Sequence, residues 1–272
     1  MQYRTLGRTN LEISEIGYGG GRVRAGQNID EVIGVLRHAL DVGVNFFDTA
    51  TSYGDGLSEE IIGKAIAGRD DSVVIATKTK PRDLDGIVKS VEGSLRRLGI
   101  ECIDILQFHG GWIPDDDADL ILEGGLEVYQ RLRDQGKIRF LGFSADGPGA
   151  GVHRLIATGE FDVIQCHYNL MYQAMYDGFS GEGIMADAEE QGMGIFTMRS
   201  TTSGAFPNLM QDAFGEFASS NDLEPFLLNF TLSNPLVDSA LMSLQSVEAI
   251  DLCNRVSDDV ESRIDIRKTH RR

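Results

Sequence analysis

Hydrophobic and polar positions follow one repeated unit along the chain: an amphipathic stretch, a glycine, and then a short apolar run. In the amphipathic stretches, apolar residues recur every three to four positions, as at Ile29, Val32, Ile33, Leu36 and Leu40. This is the spacing of one helical face. The apolar runs are rich in Val, Ile and Phe, as expected of strands buried on both faces. Each unit therefore predicts a helix followed by a buried strand.

Glycines mark the predicted helix ends, because glycine closes a helix in the left-handed conformation at little cost. There are six of them: Gly43, Gly68, Gly99, Gly136, Gly159 and Gly192. The segment EIGYGG supplies a strand before the first helix, LVDSALMS an eighth strand and SVEAIDLCNRV an eighth helix. Eight strands separated by helices predict an α/β fold with a parallel sheet.

A (β/α)8 TIM barrel fits this pattern better than an open sheet. An open dinucleotide-binding sheet carries GxGxxG after its first strand, and the segment GYGGGR lacks that spacing. Upstream, QYRTLGRTNLEIS predicts an N-terminal β-hairpin that turns at Gly7–Asn10 and plugs one mouth of the barrel. We expect one domain over residues 1–272, since such barrels run to roughly 250 residues. The charged tail from Asp258 to Arg272 is expected to fray at its end.

Composition disfavours several classes of protein, among them nucleic-acid-binding, membrane-spanning and secreted proteins. The chain has 42 acidic and 25 basic residues, a net charge of −17, which disfavours nucleic acid and anionic membranes as partners. No window holds the roughly 18 uncharged apolar residues of a membrane span, and the polar start MQYRTLGRTN does not resemble a secretory signal. Three cysteines without a CxxC pair disfavour a disulfide framework or a zinc site. We expect a cytoplasmic protein.

Reactive side chains collect where the predicted strands end, and in a barrel these ends form one rim. Strand two ends at Asp48 and is followed by Tyr53, strand three ends at Lys78, and strand four ends at His109. Taken singly, each has an ordinary structural explanation as a turn cap, loop packing or a core residue, although lysine is rarely buried unpaired. Together, three consecutive strands bring a carboxylate, a phenol, an ammonium and an imidazole to the same rim.

These four groups suit the reduction of a carbonyl by hydride transfer, which leaves an alkoxide-like oxygen to be protonated. An ammonium beside a phenol favours the phenolate, so Lys78 would assist Tyr53 as a general acid. Asp48 would keep that lysine charged, and a neutral His109 would donate a hydrogen bond to the carbonyl oxygen. No metal site is expected, because His109 has no second histidine at ligand spacing and Asp48 has no acidic partner on neighbouring strands.

The chain resembles the aldo-keto reductase superfamily along nearly its whole length. The segments that carry the resemblance are YRTLGRTNLEISEIGYGGG, FDTATSYGDGLSEEIIGKAI, VVIATKTK, IDILQFHG, KIRFLGFS, IQCHYN and SLQSVEAIDLCN. The resemblance implies NAD(P)H binding at the barrel mouth without a Rossmann domain, and reversible reduction of an aldehyde or ketone to an alcohol. It also implies an Asp-Tyr-Lys-His tetrad, which Asp48, Tyr53, Lys78 and His109 match.

The resemblance implies a set of coenzyme contacts as well. The matching positions are Gly19, Gly20, Asp48, Ser144, Gln165, Met198, Arg199, Ser200, Thr201, Ser243, Gln245 and Ser246. Ala145 replaces an asparagine after Ser144, and Met198 stands where an aromatic residue often stacks on the nicotinamide. Gln245 replaces a basic residue that contacts the adenosine phosphate, which weakens the case for NADPH over NADH. On family grounds we still expect a slight preference for NADPH.

Substrate contacts are expected from Tyr53, His109 and Trp112, the only tryptophan, as an apolar wall beyond His109. Weaker candidates are Tyr18, Tyr168 and Tyr172. Two other functions stay open: a coenzyme-binding sensor or scaffold with little turnover, and a lyase or isomerase that uses Tyr53 and Lys78 without hydride transfer.

Overall fold

The computed structural model describes residues 1–69, 72–215 and 222–270. An antiparallel hairpin comes first, formed by β1 (Tyr3–Thr5) and β2 (Glu12–Ser14). A closed barrel of eight parallel strands follows, with β10 paired to both β9 and β3. Its strands are β3 (Ile16–Gly19), β4 (Phe46–Asp48), β5 (Val74–Thr79), β6 (Ile103–Phe108), β7 (Ile138–Ala145), β8 (Val163–His167), β9 (Gly194–Met198) and β10 (Ser239–Met242).

Helices follow the strands around the barrel. Those of the described residues are α1 (Ile29–Asp41), α2 (Leu57–Ile66), α3 (Leu84–Leu98), α4 (Asp115–Leu120), α5 (Leu126–Asp134), α6 (Ala150–Ala157), α7 (Ile184–Glu190), α8 (Ala205–Phe214), α9 (Glu224–Leu232), α10 (Val247–Asp258) and α11 (Ile266–His270). The predicted (β/α)8 TIM barrel with an N-terminal hairpin is thereby confirmed. No helix within the described ranges is long and apolar enough to cross a membrane.

Local sequence signals set the helix boundaries. All six predicted helix-ending glycines have positive φ, between 70° and 98°. At Gly99 (φ 71°) the amide donates to the Leu95 carbonyl at 2.9 Å and ends α3. The start of the same helix is capped by Asp83, whose carboxylate accepts from the Gly86 amide at 2.8 Å. These short-range hydrogen bonds explain why the repeated unit in the sequence correctly predicts where helices begin and end.

The hairpin plugs the mouth at the N-terminal ends of the strands. Leu6 is fully buried among residues that fill the barrel interior, including Phe46, Val74 and Phe196. A Cβ on Gly7 would lie 2.2 Å from the Gly194 amide at the start of β9, so the hairpin sits directly on the strand ends. The opposite mouth, where the strands end, is left to the loops that carry the reactive side chains.

The C-terminal tail packs against the barrel as far as it is described. Arg263 donates to the Glu15 carboxylate at 2.9 Å and to Asn229 Oδ1 at 3.0 Å, and Ile266 is 4% exposed. The fraying expected at the end of the chain falls on residues 271 and 272, which lie outside the described residues. The expectation of one domain over residues 1–272 stays a prediction.

Candidate active site

Asp48 and Lys78 form a buried ion pair inside the barrel mouth. The Lys78 ammonium lies 2.7 and 2.6 Å from the two Asp48 carboxylate oxygens and donates to the Thr49 carbonyl at 2.7 Å. Asp48 pairs with Ala76 in the β4–β5 register. Because strand side chains alternate, Lys78, two positions beyond Ala76, points to the same side. Both side chains are almost fully buried.

Two amides complete the surroundings of the carboxylate. Gln107 Nε2 donates to Asp48 Oδ1 at 3.1 Å, and Gln165 Nε2 donates to Oδ2 at 3.3 Å. Burial raises the pKa of Asp48, whereas Lys78 and the two amides oppose that rise. Burial also opposes the charge on Lys78, but Asp48 and the oxygen of Tyr53 favour the ammonium and raise the pKa of Lys78 overall. A buried ion pair is a weak stabiliser of a fold, so its presence at the mouth points to a chemical role.

Tyr53 lies directly over this pair. It begins a short 3-10 segment (Tyr53–Gly56) after β4, and the Lys78 ammonium is 5.1 Å from the centroid of its ring. The imidazole of His109 meets the ring edge-on, at an interplanar angle of 88° and a centroid distance of 5.7 Å. On another side of the ring, a Cβ on Gly21 would lie 3.6 Å from Tyr53 Cζ. Tyr53 and His109 line the same cavity.

His109 is held as a neutral imidazole. Burial, followed by the positive charges of Lys78, Lys80 and Arg82, lowers the pKa of His109 from 6.5 to about 3. Its Nδ1 lies 3.5 Å from Ser52 Oγ, and Nε2 has no hydrogen-bond partner within the described part of the chain. A neutral ring with a free nitrogen can donate one hydrogen bond to a ligand in the cavity.

The cavity is a groove of about 820 Å³ across the barrel mouth. Most of the predicted coenzyme positions line it: Gly19, Asp48, Ser144, Gln165, Met198, Arg199, Ser200, Thr201, Ser243 and Gln245. Two do not. Gly20 lies beneath the surface, where a Cβ would come within 2.3 Å of Ser58 Oγ. Ser246 caps α10, its hydroxyl accepting from the Ala249 amide at 3.2 Å.

The backbone after β9 adopts an uncommon conformation along the groove. Arg199, Thr202 and Ser203 have φ of 56°, 64° and 52°, which costs a non-glycine residue about 1–2 kcal/mol. Asn169 Nδ2 supports this turn by donating to the Arg199 carbonyl at 2.9 Å. Strained backbone clusters at ligand sites, and turns of this kind direct backbone amides at anions. The loop is therefore a candidate for contact with an anionic ligand.

The aromatic candidates for substrate contact lie mostly outside the groove. Trp112 is 62% exposed, and its ring packs on Gly147, where a Cβ would be 2.6 Å from Trp112 Cζ3. Tyr168 is fully buried, and Tyr172 stacks on His167 at a centroid distance of 4.1 Å. Tyr18 lines a smaller cavity of about 270 Å³ next to the groove. An apolar wall formed by Trp112 stays a prediction.

Two residues of the site, Gln107 and Glu224, were not predicted from the sequence. Gln107 was signalled only by its polarity inside the apolar strand IDILQF. Glu224, at the start of α9, lines the groove although it is far from every motif along the chain. Nothing in its local sequence marks it, because only the folding of α9 against the mouth places it there.

Comparison with known proteins identifies the family. A model of the aldo/keto reductase family matches residues 15–255. The chain belongs to this family. The assignment confirms the resemblance seen in the sequence and supports an oxidoreductase.

Curated relatives from several organisms share this similarity. The chain is 39% identical to the aldo-keto reductase YhdN of Bacillus subtilis, over 64% of this chain and 56% of that protein. It is 34% identical to the uncharacterized oxidoreductase YqkF of the same organism, over 54% of this chain and 50% of that protein. These two matches thus span about half of each relative. L-galactose dehydrogenase of Arabidopsis thaliana is 27% identical, over 92% of this chain and 86% of that protein.

Solved structures show the same fold. The aldo-keto reductase AKR11C1 of Bacillus halodurans, in its holo form, has a TM-score of 0.79 at 23% identity, covering 98% of this chain and 96% of that chain. An aldo/keto reductase of Klebsiella pneumoniae, in complex with NADP and acetate, has a TM-score of 0.79 at 21% identity, covering 100% of this chain and 95% of that chain. At these identities the likeness concerns the fold.

Proposed function

We propose that this chain reversibly reduces an aldehyde or ketone to an alcohol with a nicotinamide coenzyme, and that Tyr53 is the general acid. One observation carries the proposal. The phenol of Tyr53 lies over the ammonium of a buried Lys78–Asp48 pair and beside a neutral His109, in one cavity. A small carbonyl or alcohol is the substrate, and the cytoplasm is the expected location.

The groove suits a dinucleotide. Gln165 Oε1 is buried without a hydrogen-bond partner among the described residues. This unpaired acceptor, next to Ser144 in the β7–β8 register, supports a contact with the carboxamide of a nicotinamide. The loop that follows Arg199 offers backbone amides to the pyrophosphate. The Arg199 guanidinium is half exposed and forms a long ion pair with Asp146, at 3.8 Å, which it would exchange for a phosphate. The NADP bound in the Klebsiella pneumoniae relative supports this ligand class. When bound, the coenzyme supplies the hydride.

Side chains of the site bind the carbonyl oxygen of the substrate and then protonate it. The Tyr53 hydroxyl and an N–H of His109 donate hydrogen bonds to the carbonyl oxygen and stabilise the negative charge that develops on it. As the carbonyl carbon gains a hydride, Tyr53 transfers its proton to the oxygen, and the product is the alcohol. The Lys78 ammonium stabilises the resulting phenolate, and Asp48 keeps Lys78 charged. The phenolate then regains a proton from solvent.

The test is turnover of a generic aromatic aldehyde, followed by oxidation of NADH or NADPH. Tyr53→Phe removes the proton donor and is expected to lower kcat by about 10²–10⁴-fold, with coenzyme affinity unchanged. Tyr3→Phe, at a half-exposed tyrosine of the hairpin, is the matched control. Full activity in Tyr53→Phe would show that the acid is misassigned. Coenzyme binding without turnover by the unsubstituted chain would favour the sensor, and substrate conversion without coenzyme oxidation the lyase or isomerase.

A further inference from the structure

One end of the groove is formed by the loops after β9 and β10 with the starts of α9 and α10. It is lined by Glu224, Leu227, Gln245, Ala249 and Cys253. The tetrad occupies the part of the mouth formed by β4, β5 and β6. A dinucleotide whose nicotinamide lies beside Tyr53 therefore places its adenosine against Glu224 and Gln245. The adenosine ribose carries a 2′-hydroxyl in NADH and a 2′-phosphate in NADPH, so charge at this end decides between the two coenzymes.

This end of the groove is built from a stretch without positive charge. From Ser200 to Asn254 the sequence contains no Lys, Arg or His. Its charged residues are all acidic: Asp212, Glu216, Asp222, Glu224, Asp238, Glu248 and Asp251. Every groove-lining residue after Arg199 comes from this stretch. A phosphate dianion bound here would thus meet no cation from either loop.

Two amides at the start of α10, beside Gln245, are already hydrogen-bonded within the chain. Free amides at a helix N-terminus ordinarily bind phosphate. Here the Ser246 hydroxyl already accepts from the Ala249 amide at 3.2 Å. The Glu248 carboxylate hydrogen-bonds its own backbone amide and the Ser246 hydroxyl, and these two contacts lower the pKa of Glu248. The Glu248 carboxylate therefore accepts an amide hydrogen bond that a bound phosphate would otherwise accept.

Two cations of the loop after β3, Arg22 and Arg24, line the other side of the groove. The Arg24 guanidinium already donates to the Gly21 and Val23 carbonyls, both at 2.8 Å. Arg22, in the loop after β3, lines both the groove and the adjoining smaller cavity. Glu224 is exposed at its surface, but partial desolvation and Asp222 raise its pKa, whereas Arg22 lowers it. Arg22 and Glu224 are therefore close enough to interact. Because Glu224 opposes the charge of Arg22, the pair together offers no net positive charge to a 2′-phosphate.

We propose that this end of the groove selects NADH over NADPH, with Glu224 accepting hydrogen bonds from the ribose hydroxyls and repelling a 2′-phosphate. A carboxylate on the ribose 2′-hydroxyl serves the same purpose in NAD-binding sites of unrelated folds. The inference rests on the proposed function, since it requires a nicotinamide coenzyme in the groove. It opposes the slight preference for NADPH that the family resemblance suggests.

The experiment measures binary affinities without substrate, by titrating the chain with NADH and NADPH and following coenzyme fluorescence and calorimetric heat. The unsubstituted chain is expected to bind NADH at least about 10-fold more tightly, which corresponds to about 1.4 kcal/mol. In Glu224→Gln with Gln245→Arg, NADPH affinity rises at least about 10-fold while NADH affinity stays within about 3-fold. Glu189→Gln, the same loss of charge at an exposed position of α7, leaves both affinities unchanged.

Every result of this experiment either supports the inference or rejects it. Equal or tighter binding of NADPH by the unsubstituted chain overturns the inference, and so does an unchanged affinity ratio in the double variant. If neither coenzyme binds, the proposed function itself is wrong and the inference falls with it. Equal binding of both coenzymes with normal aldehyde reduction rejects only the coenzyme choice. Circular dichroism checks the fold of the variants, and should the double variant misfold, Gln245→Arg alone decides, because Gln245 is exposed.

Discussion

The neutral state of His109 has a direct consequence for stability at low pH. Its pKa is lowered from 6.5 to about 3, first by burial and then by the charges of Lys78, Lys80 and Arg82. The unfolded chain therefore binds a proton at this position between pH 6.5 and pH 3, while the folded chain does not. The contribution of a neutral His109 is complete above pH 6.5 and decreases as pH falls through this window.

The size of the effect follows from the two pKa values. At pH 5 the unfolded histidine lies 1.5 units below its pKa of 6.5, and each unit is worth 1.36 kcal/mol, so folding loses about 2 kcal/mol relative to pH 7.5. This loss of about 2 kcal/mol depends little on the pKa of His109 in the folded chain, because any value of about 4 or lower leaves the ring neutral at pH 5. The loss should disappear in His109→Gln, whose amide does not titrate.

Urea unfolding of the unsubstituted chain and of His109→Gln at pH 7.5 and pH 5 measures this difference. The gap in unfolding free energy between the two proteins is expected to move by about 2 kcal/mol in favour of the variant at pH 5. His153→Gln, at an exposed histidine beside Asp187, is the control variant. A gap for His109→Gln that is the same at both pH values would refute the neutral imidazole. An NMR titration of the His109 ring, which should show no protonation between pH 8 and pH 5, checks the result without assuming two-state unfolding.

Three further predictions concern the tetrad and the hairpin. Lys78→Met removes the ammonium under Tyr53 and should lower kcat and move the pH profile of turnover to higher pH. Gln107→Leu removes a donor to Asp48 and should lower kcat about 10-fold with KM within about 2-fold and a shifted pH profile; an unmoved profile would leave Gln107 a merely structural role. Gly7→Ala should cost more than about 3 kcal/mol, because its Cβ would meet the Gly194 amide at 2.2 Å. Gly204→Ala, at φ 87° with open space around it, should cost only about 1 kcal/mol, and urea unfolding compares the two.

Much of the fold was predictable because its signals are short-range. Gly99 ends α3 through a hydrogen bond to a residue four positions away, and Asp83 begins it through one three positions away. Such hydrogen bonds join residues that are close in the sequence, so they can be predicted without knowing how the rest of the chain folds. The convergence of Asp48, Lys78 and His109 was predictable for a different reason. In a parallel barrel all strand ends meet at one mouth, so the position of a residue relative to its strand end locates it in space.

What the sequence alone determined is therefore the barrel, the order of its elements and the side chains at the rim. The tertiary structure decided which of those side chains touch and which distant groups join them. Gln107 meets Asp48 across the barrel interior, Glu224 reaches the groove from a helix far along the chain, and Trp112 lies outside that groove, against Gly147. These outcomes depend on how whole elements pack and where long loops turn. No local pattern carries that information, because the residues concerned become neighbours only when the barrel closes.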